Sequence, residues 1–283
     1  MYRIKFVLTI IVVLVVIFIA ASTIASVIFK RNVGQEVQIL FSKVENKGEI
    51  VTEDDIEGLP GNVQRWLKYS GVIGREKIVS VRLKQRASMR LGEDNSWMPV
   101  EAEQYFTSEE PGFIWRANIK VAPLINIAGR DKYHAGEGNM LIKPLSLLTV
   151  ADAKGKEIDQ ATLLRYLAET MWFPSAVLEE YITWEEIDED HSKATMTYGD
   201  ITASGIFTFN EEGEAIKFEA ERYGEFNGVF SLETWSIPVS NYKEFEGIRI
   251  PTKGEVTWKL ADGDFNWFNF EVVEIEYNRA IPY

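Results

Sequence analysis

The sequence has no cysteine and only two histidines, His134 and His191. The first absence excludes disulfides, a thiol nucleophile, a cysteine-ligated metal and lipid attachment through a cysteine. The second leaves no HxxxH or HExxH spacing, so no histidine-based zinc site is expected. Ser70-Gly71 and Ser204-Gly205 lack the preceding glycine of a nucleophile elbow. Gly136-Glu137-Gly138 has neither the third glycine nor the following helix of a nucleotide loop, and reads as a turn. The run Glu185-Glu186-Ile187-Asp188-Glu189-Asp190 lacks the central glycine and closing glutamate of an EF-hand, and reads as a solvated strand end. No catalytic residue, metal or cofactor is expected. Positive charge is short as well: 30 Lys+Arg stand against 43 Asp+Glu, a net charge of −13. Every acidic residue lies beyond residue 31, so the body of the chain is repelled by nucleic acid and by an anionic cytoplasmic leaflet.

What is present begins with a long apolar run. Phe6 to Phe29 carries no charge, and only Thr9, Ser22, Thr23 and Ser26 are polar. As a helix it spans roughly 36 Å, enough to cross a hydrocarbon core of about 30 Å with tilt. The rival, a cleaved signal peptide, has a shorter apolar stretch of about 7–15 residues. Residues 1–31 are therefore expected to be a retained single-pass anchor in a cell membrane, with the bilayer as partner of residues 6–29. Arg3 and Lys5 face Lys30 and Arg31 across it, a small positive-inside bias. Together with the acidic body, this favours an extracytoplasmic C-terminal domain.

Residues 32–58 read as a juxtamembrane stalk or short helix, and 59–283 as one antiparallel β-rich domain. Val63, Trp66 and Leu67 mark an amphipathic helix after Pro60, with Gly71 as its stop. From Ile78 the period changes to two. Val81, Leu83, Gln85, Ala87 and Met89 alternate with Arg82, Lys84, Arg86 and Arg90, and a turn at Gly92–Asn95 leads to a partner strand bearing Glu101 and Glu103. That is a hairpin, with the cations set against the carboxylates. Further strand runs follow at 113–121, 140–151, 181–188, 193–198, 202–209, 215–223, 229–237, 245–250, 255–260 and 265–277. Pro238 and Pro251 are expected at an edge or strand end. Between the groups of strands, Asp159 is expected to cap a helix carrying Leu163, Tyr166, Leu167 and Met171, and Pro174 to open a second short one. The expected fold is mainly β with α insertions (α+β): a curved antiparallel sheet or half-barrel with a helix pair on its concave side.

Leu59-Pro60 through Trp66-Leu67, Val81–Gln85, Trp97-Met98-Pro99, Gly129-Arg130-Asp131, Leu164–Glu169, Trp172–Ser175, Lys193–Met196 and Gly247–Pro251 together resemble an uncharacterised bacterial family of membrane-anchored domains of unknown function. The resemblance covers nearly all of residues 59–279 and implies bacterial origin and a single domain. The order of strands, inserted helices and late Gly-Ile-x-Ile-Pro is similar in pattern to bacterial lipoprotein-carrier and periplasmic lipid-binding half-barrels. That likeness implies a lipid-sized cavity but no specific activity.

Aromatic residues are abundant: 8 Trp, 11 Tyr and 16 Phe. A sheet incompletely closed by helices offers an apolar site. Trp115, Tyr166, Met171, Trp172 and Phe173 are the expected lining for a lipid or other hydrophobic small molecule, with Arg130 meeting its polar head; the polar group Gly129–Tyr133 that contains Arg130 reads first as an internal salt bridge and second as a ligand contact. The alternatives are an envelope protein–protein interaction or scaffold domain, and a hydrolase working through carboxylates.

Overall fold

A computed structural model describes residues 2–226 and 228–283; Met1, the start of the expected anchor, lies outside them. Helix α1 (Tyr2–Phe41) leads to helix α2 (Gly61–Ser70) and then to strands β1 (Ser80–Met89), β2 (Met98–Thr107), β3 (Gly112–Ala122), β4 (Ile125–His134), β5 (Glu137–Pro144) and β6 (Ala151–Ala153). Helix α3 (Lys156–Glu169) and two short 3-10 turns, Thr170–Trp172 and Pro174–Leu178, intervene. Strands β7 (Ile182–Glu186), β8 (His191–Tyr198), β9 (Ile201–Phe209), β10 (Ala215–Phe226), β11 (Val229–Phe245), β12 (Ile248–Leu260) and β13 (Gly263–Tyr277) complete the chain.

All 13 strands form one antiparallel sheet in the order β6-β5-β4-β3-β2-β1-β13-β12-β11-β10-β9-β8-β7, so it curls without closing. Period-two alternation sends Val81, Leu83, Val100, Phe106, Phe113, Phe207, Phe218 and Val272 to the concave side. There they bury α2 through Val63, Trp66 and Leu67, and α3 through Leu163, Leu164, Tyr166 and Leu167. Gly71 ends α2 in the left-handed region, with its N–H on the Lys68 carbonyl, as glycine at that position predicts.

The first part of residues 32–58 is helical and lies against the sheet. Helix α1 continues unbroken to Phe41, and Phe29, Val33, Val37, Leu40 and Phe41 recur at helical spacing against Tyr105, Ile114 and Ala128 on the outer face of the sheet. Each such burial contributes about 1.5–3 kcal/mol, enough to hold the helix down. Ile50 then bridges to Glu76, and Val51 and Ile56 join the main core.

Four expectations are corrected. The run 140–151 divides into β5 and β6, because Leu145 and Ser146 turn through positive φ. Strand β4 escaped the period-two reading because its polar residues are satisfied on both faces, Arg130 by α1 and Asp131 by α3. Asp159 lies inside α3, whose N-cap is Gly155; its Oδ1 instead accepts the Gly138 N–H at 2.6 Å. Pro174 does open its 3-10 turn. Pro238 and Pro251 sit within β11 and β12, which are interior strands. The missing N–H is tolerated because Pro238 ends the β10 ladder and Pro251 lies beyond the stretch of β12 paired to β13.

The cations of β1 stand opposite the carboxylates of β2 in register, Lys84 against Glu103 and Arg86 against Glu101. The ion pairs form elsewhere. Arg82 and Lys84 pair with Glu276 and Glu274 of β13, whereas Glu103 takes Arg116 at 2.6 Å and Glu101 takes Lys120 at 2.7 Å from β3.

Candidate functional site

The concave face has a fully buried part and a part whose aromatic side chains are only half-buried. Under α3 and the 3-10 turns, Tyr166, Met171, Trp172 and Phe173 are buried and packed together; Phe173 lies 5.6 Å from Tyr166 and 4.7 Å from Phe106, ring to ring. Tyr166 donates to the Thr107 carbonyl, and the Trp172 indole to that of Pro251. These four expected lining residues therefore form a solid floor. Trp115, the fifth, stands at the boundary, its indole N–H on Gln85 and its ring 6.1 Å from Phe268.

Arg130 is not among them. In β4, odd-numbered residues face inward and even-numbered ones outward, so Arg130 emerges on the outer face. There its Nε lies 3.0 Å from Glu36 of α1 and a terminal N–H reaches the Asn139 carbonyl. The head-group role expected of it has no access to the concave side. Its position makes it a clamp for α1.

Two cations on the concave side, Arg165 and Arg222, stand out; Arg90, 5.5 Å over the Phe265 ring, lies at the rim and donates to the Asn266 and Glu93 carbonyls. Arg165, from α3, bridges Asp131 at 2.6 Å and Glu169 at 2.9 Å, and lies over the rings of Phe113 and Trp115. Gln104 donates to the other Glu169 oxygen. Burial raises the Glu169 carboxyl against the opposing pull of Arg165. Burial also works against the charge on Arg165, but its two carboxylates more than hold it.

Arg222, on β10, is differently placed. Its Nε donates to the Ala161 carbonyl, and its guanidinium lies 4.6 Å from the ring centre of Trp235 and 5.6 Å from that of Trp258. Among the described residues it makes no ion pair, and burial followed by repulsion from Arg165 depresses it to about 10. The buried Trp235 indole N–H also lacks an acceptor among the described residues. Half-buried Phe226 packs on Trp258 at 5.4 Å, and Leu260, Phe265, Trp267, Phe270, Met89 and Met98 are half-buried against the same core. A guanidinium with spare donors on an aromatic floor suits an oxyanion attached to an apolar body.

Sequence reasoning missed Arg222, although a signal for it exists. In Phe218-Glu219-Ala220-Glu221-Arg222 the arginine falls in phase with the buried Phe218 and Ala220, as Gln85 and Gln104 do on their own strands. A charged residue in an apolar phase marks an inward-facing polar group.

A family of unknown function (DUF6544) has a model that matches residues 49–270. No curated protein matches the chain. Among solved structures, a LolA-superfamily protein from Nitrosomonas europaea is 11% identical, with 78% of this chain and 94% of that one covered at a TM-score of 0.42. A putative outer membrane lipoprotein-sorting protein domain from Vibrio parahaemolyticus is 8% identical, covering 72% and 87% at a TM-score of 0.40. A DUF1329 family protein from Desulfovibrio piger is 8% identical, covering 78% and 93% at 0.38.

Proposed function

The chain belongs to this family of unknown function, and from its own geometry we propose that it is a membrane-anchored extracytoplasmic domain that holds a lipid-like amphiphile with an acidic head group. The observation that carries the reading is Arg222: a half-buried guanidinium without a carboxylate partner among the described residues, stacked on Trp235 and Trp258 beside an open aromatic face. Holding a charge there is unfavourable until an anion arrives, which is the condition for a selective anion contact. The head group meets Arg222, the apolar body lies along Phe226, Phe265 and Phe270, and Trp115 closes the inner end. Tyr166, Met171, Trp172 and Phe173 act beneath as a rigid base. The anchor is α1, whose apolar window is wholly unburied, and the unbroken passage of that helix into its docked half supports a retained span over a cleaved leader.

The test is lipid extraction and native mass spectrometry of the full-length protein released from its membrane in mild detergent. Anionic lipid should co-purify with the wild type and fall at least about tenfold, the equivalent of roughly 1.4 kcal/mol, in Arg222→Gln. Circular dichroism of that variant should be unchanged. Identical lipid content in the two proteins overturns the reading.

A further inference from the structure

Two loops at one end of the sheet, β3–β4 and β5–β6, share an uncharged, apolar composition. The β3–β4 turn runs from Val121 to Gly129 without a charge, and the β5–β6 connection does so from Pro144 to Ala151. Both expose large apolar side chains: Leu124 is 77% and Leu148 67% accessible, with Val121, Ile125, Leu147 and Val150 also exposed. The loops are joined to each other, since the Leu145 N–H donates to the Asn126 carbonyl. Leu124 and Leu145 adopt positive φ, a conformation that favours glycine or asparagine. Leucines in such turns keep an apolar surface where the backbone would be better served by another residue.

The same loops touch the apolar helix. The Ser22 hydroxyl donates to the Leu145 carbonyl at 3.1 Å, the first contact between α1 and the domain along the chain. Below it about 20 helical residues remain, a length of roughly 30 Å that matches a hydrocarbon core. With residues 2–21 as the span within the hydrocarbon, the hydrogen bond sets the loops at the level where the helix leaves it, and residues 22–29 of the apolar run lie at the interface. Lys143 flanks the second, placed to reach phosphate head groups while the leucines point deeper; Lys120, beside the first, is held by Glu101. The β1–β2 and β12–β13 tips carry Glu93, Asp94, Asp262 and Asp264 and stand outside the contact, whereas exposed Val229 and Phe230 of the β10–β11 hairpin extend the apolar rim at that end.

We infer that the β3–β4 and β5–β6 loops insert into the interface of a phospholipid bilayer beside α1, turning the open, aromatic end of the sheet toward the membrane. This rests on the anchor reading above and gives the amphiphile a route: lipid passes from the leaflet to the concave face without crossing bulk water.

The absence of cysteine makes the test direct. Full-length Leu124→Cys, Leu148→Cys, Ile187→Cys and Val13→Cys variants are each labelled with a polarity-sensitive fluorophore and reconstituted into phosphatidylcholine–phosphatidylglycerol vesicles. The lipids carry bromine at defined acyl positions. The labels at 124 and 148 should shift to the blue and lose most of their emission to bromines near the head-group end of the acyl chain. The label at 187, in the acidic β7–β8 turn at the opposite end, should do neither. If Val13→Cys is quenched while 124 and 148 behave like 187, loop insertion is overturned and the anchor stands. If Val13→Cys also stays unquenched, anchor and insertion fall together. Lipid retention by Arg222 is read separately, so its failure is distinguishable from both.

Discussion

The two ends of the curled sheet are built from the same strands and do opposite work. At one end α2 seals the interior: Trp66 is fully buried, 5.9 Å from Phe207 and 5.8 Å from Phe209, and the turns outside are acidic, as in the β7–β8 turn where Asp188 accepts the Asp190 and His191 N–H groups. At the other end no helix among the described residues closes the sheet, Phe226, Phe265 and Phe270 are half-buried, and two turns carry leucines. The difference shows that one sheet can separate its stability from its contact surface, because packing density is local to each end.

The largest effect that sharpens this contrast is at the sealed end. Trp66→Ala should cost about 3–5 kcal/mol in urea unfolding, since the cavity it leaves is enclosed by rigid aromatic neighbours. A loss comparable to that of an exposed residue would break the comparison. On the outer face, burial pushes the Glu103 carboxyl up, but the Arg116 hydrogen bond and charge, with the Tyr105 hydroxyl, outweigh it and hold the group below the ordinary carboxylate range. A depressed folded pKa adds stability above the unfolded pKa and loses it as pH falls through the folded one. Glu103→Gln should therefore cost about 1 kcal/mol at neutral pH and nothing once both states are protonated. A cost independent of pH would assign the effect to packing. The smallest effect belongs to the open end: Phe265→Ala should change stability by about 1 kcal/mol or less while reducing lipid retention. Equal losses at Phe265 and Trp66 would mean that the two ends are one core.

Much of the architecture was legible because each strand writes its own period. The alternation of Val81, Leu83, Ala87 and Met89 identified β1, and the Gly71 stop and the Pro174 turn appeared where local backbone rules put them. Strand β4 was hidden because its charges on both faces erase the alternation. The candidate site was legible only in part. Aromatic residues could be assigned to the interior, but Trp115 at the boundary and Phe173 in the floor look alike in sequence. Arg130 was misplaced because the face on which a strand residue emerges follows from register with its neighbours, and Glu36 is far away along the chain.

By itself the sequence determined the apolar helix, the acidic character of the body, the antiparallel strands and the absence of cysteine chemistry, all properties of composition or of short-range periodicity. Only the tertiary structure decided that α1 docks on the outside of the sheet, that the β1 cations Arg82 and Lys84 choose β13, and that Arg222 has no carboxylate partner among the described residues. Those outcomes depend on which distant segments meet, and a carboxylate within hydrogen-bonding reach can arrive from anywhere in the chain.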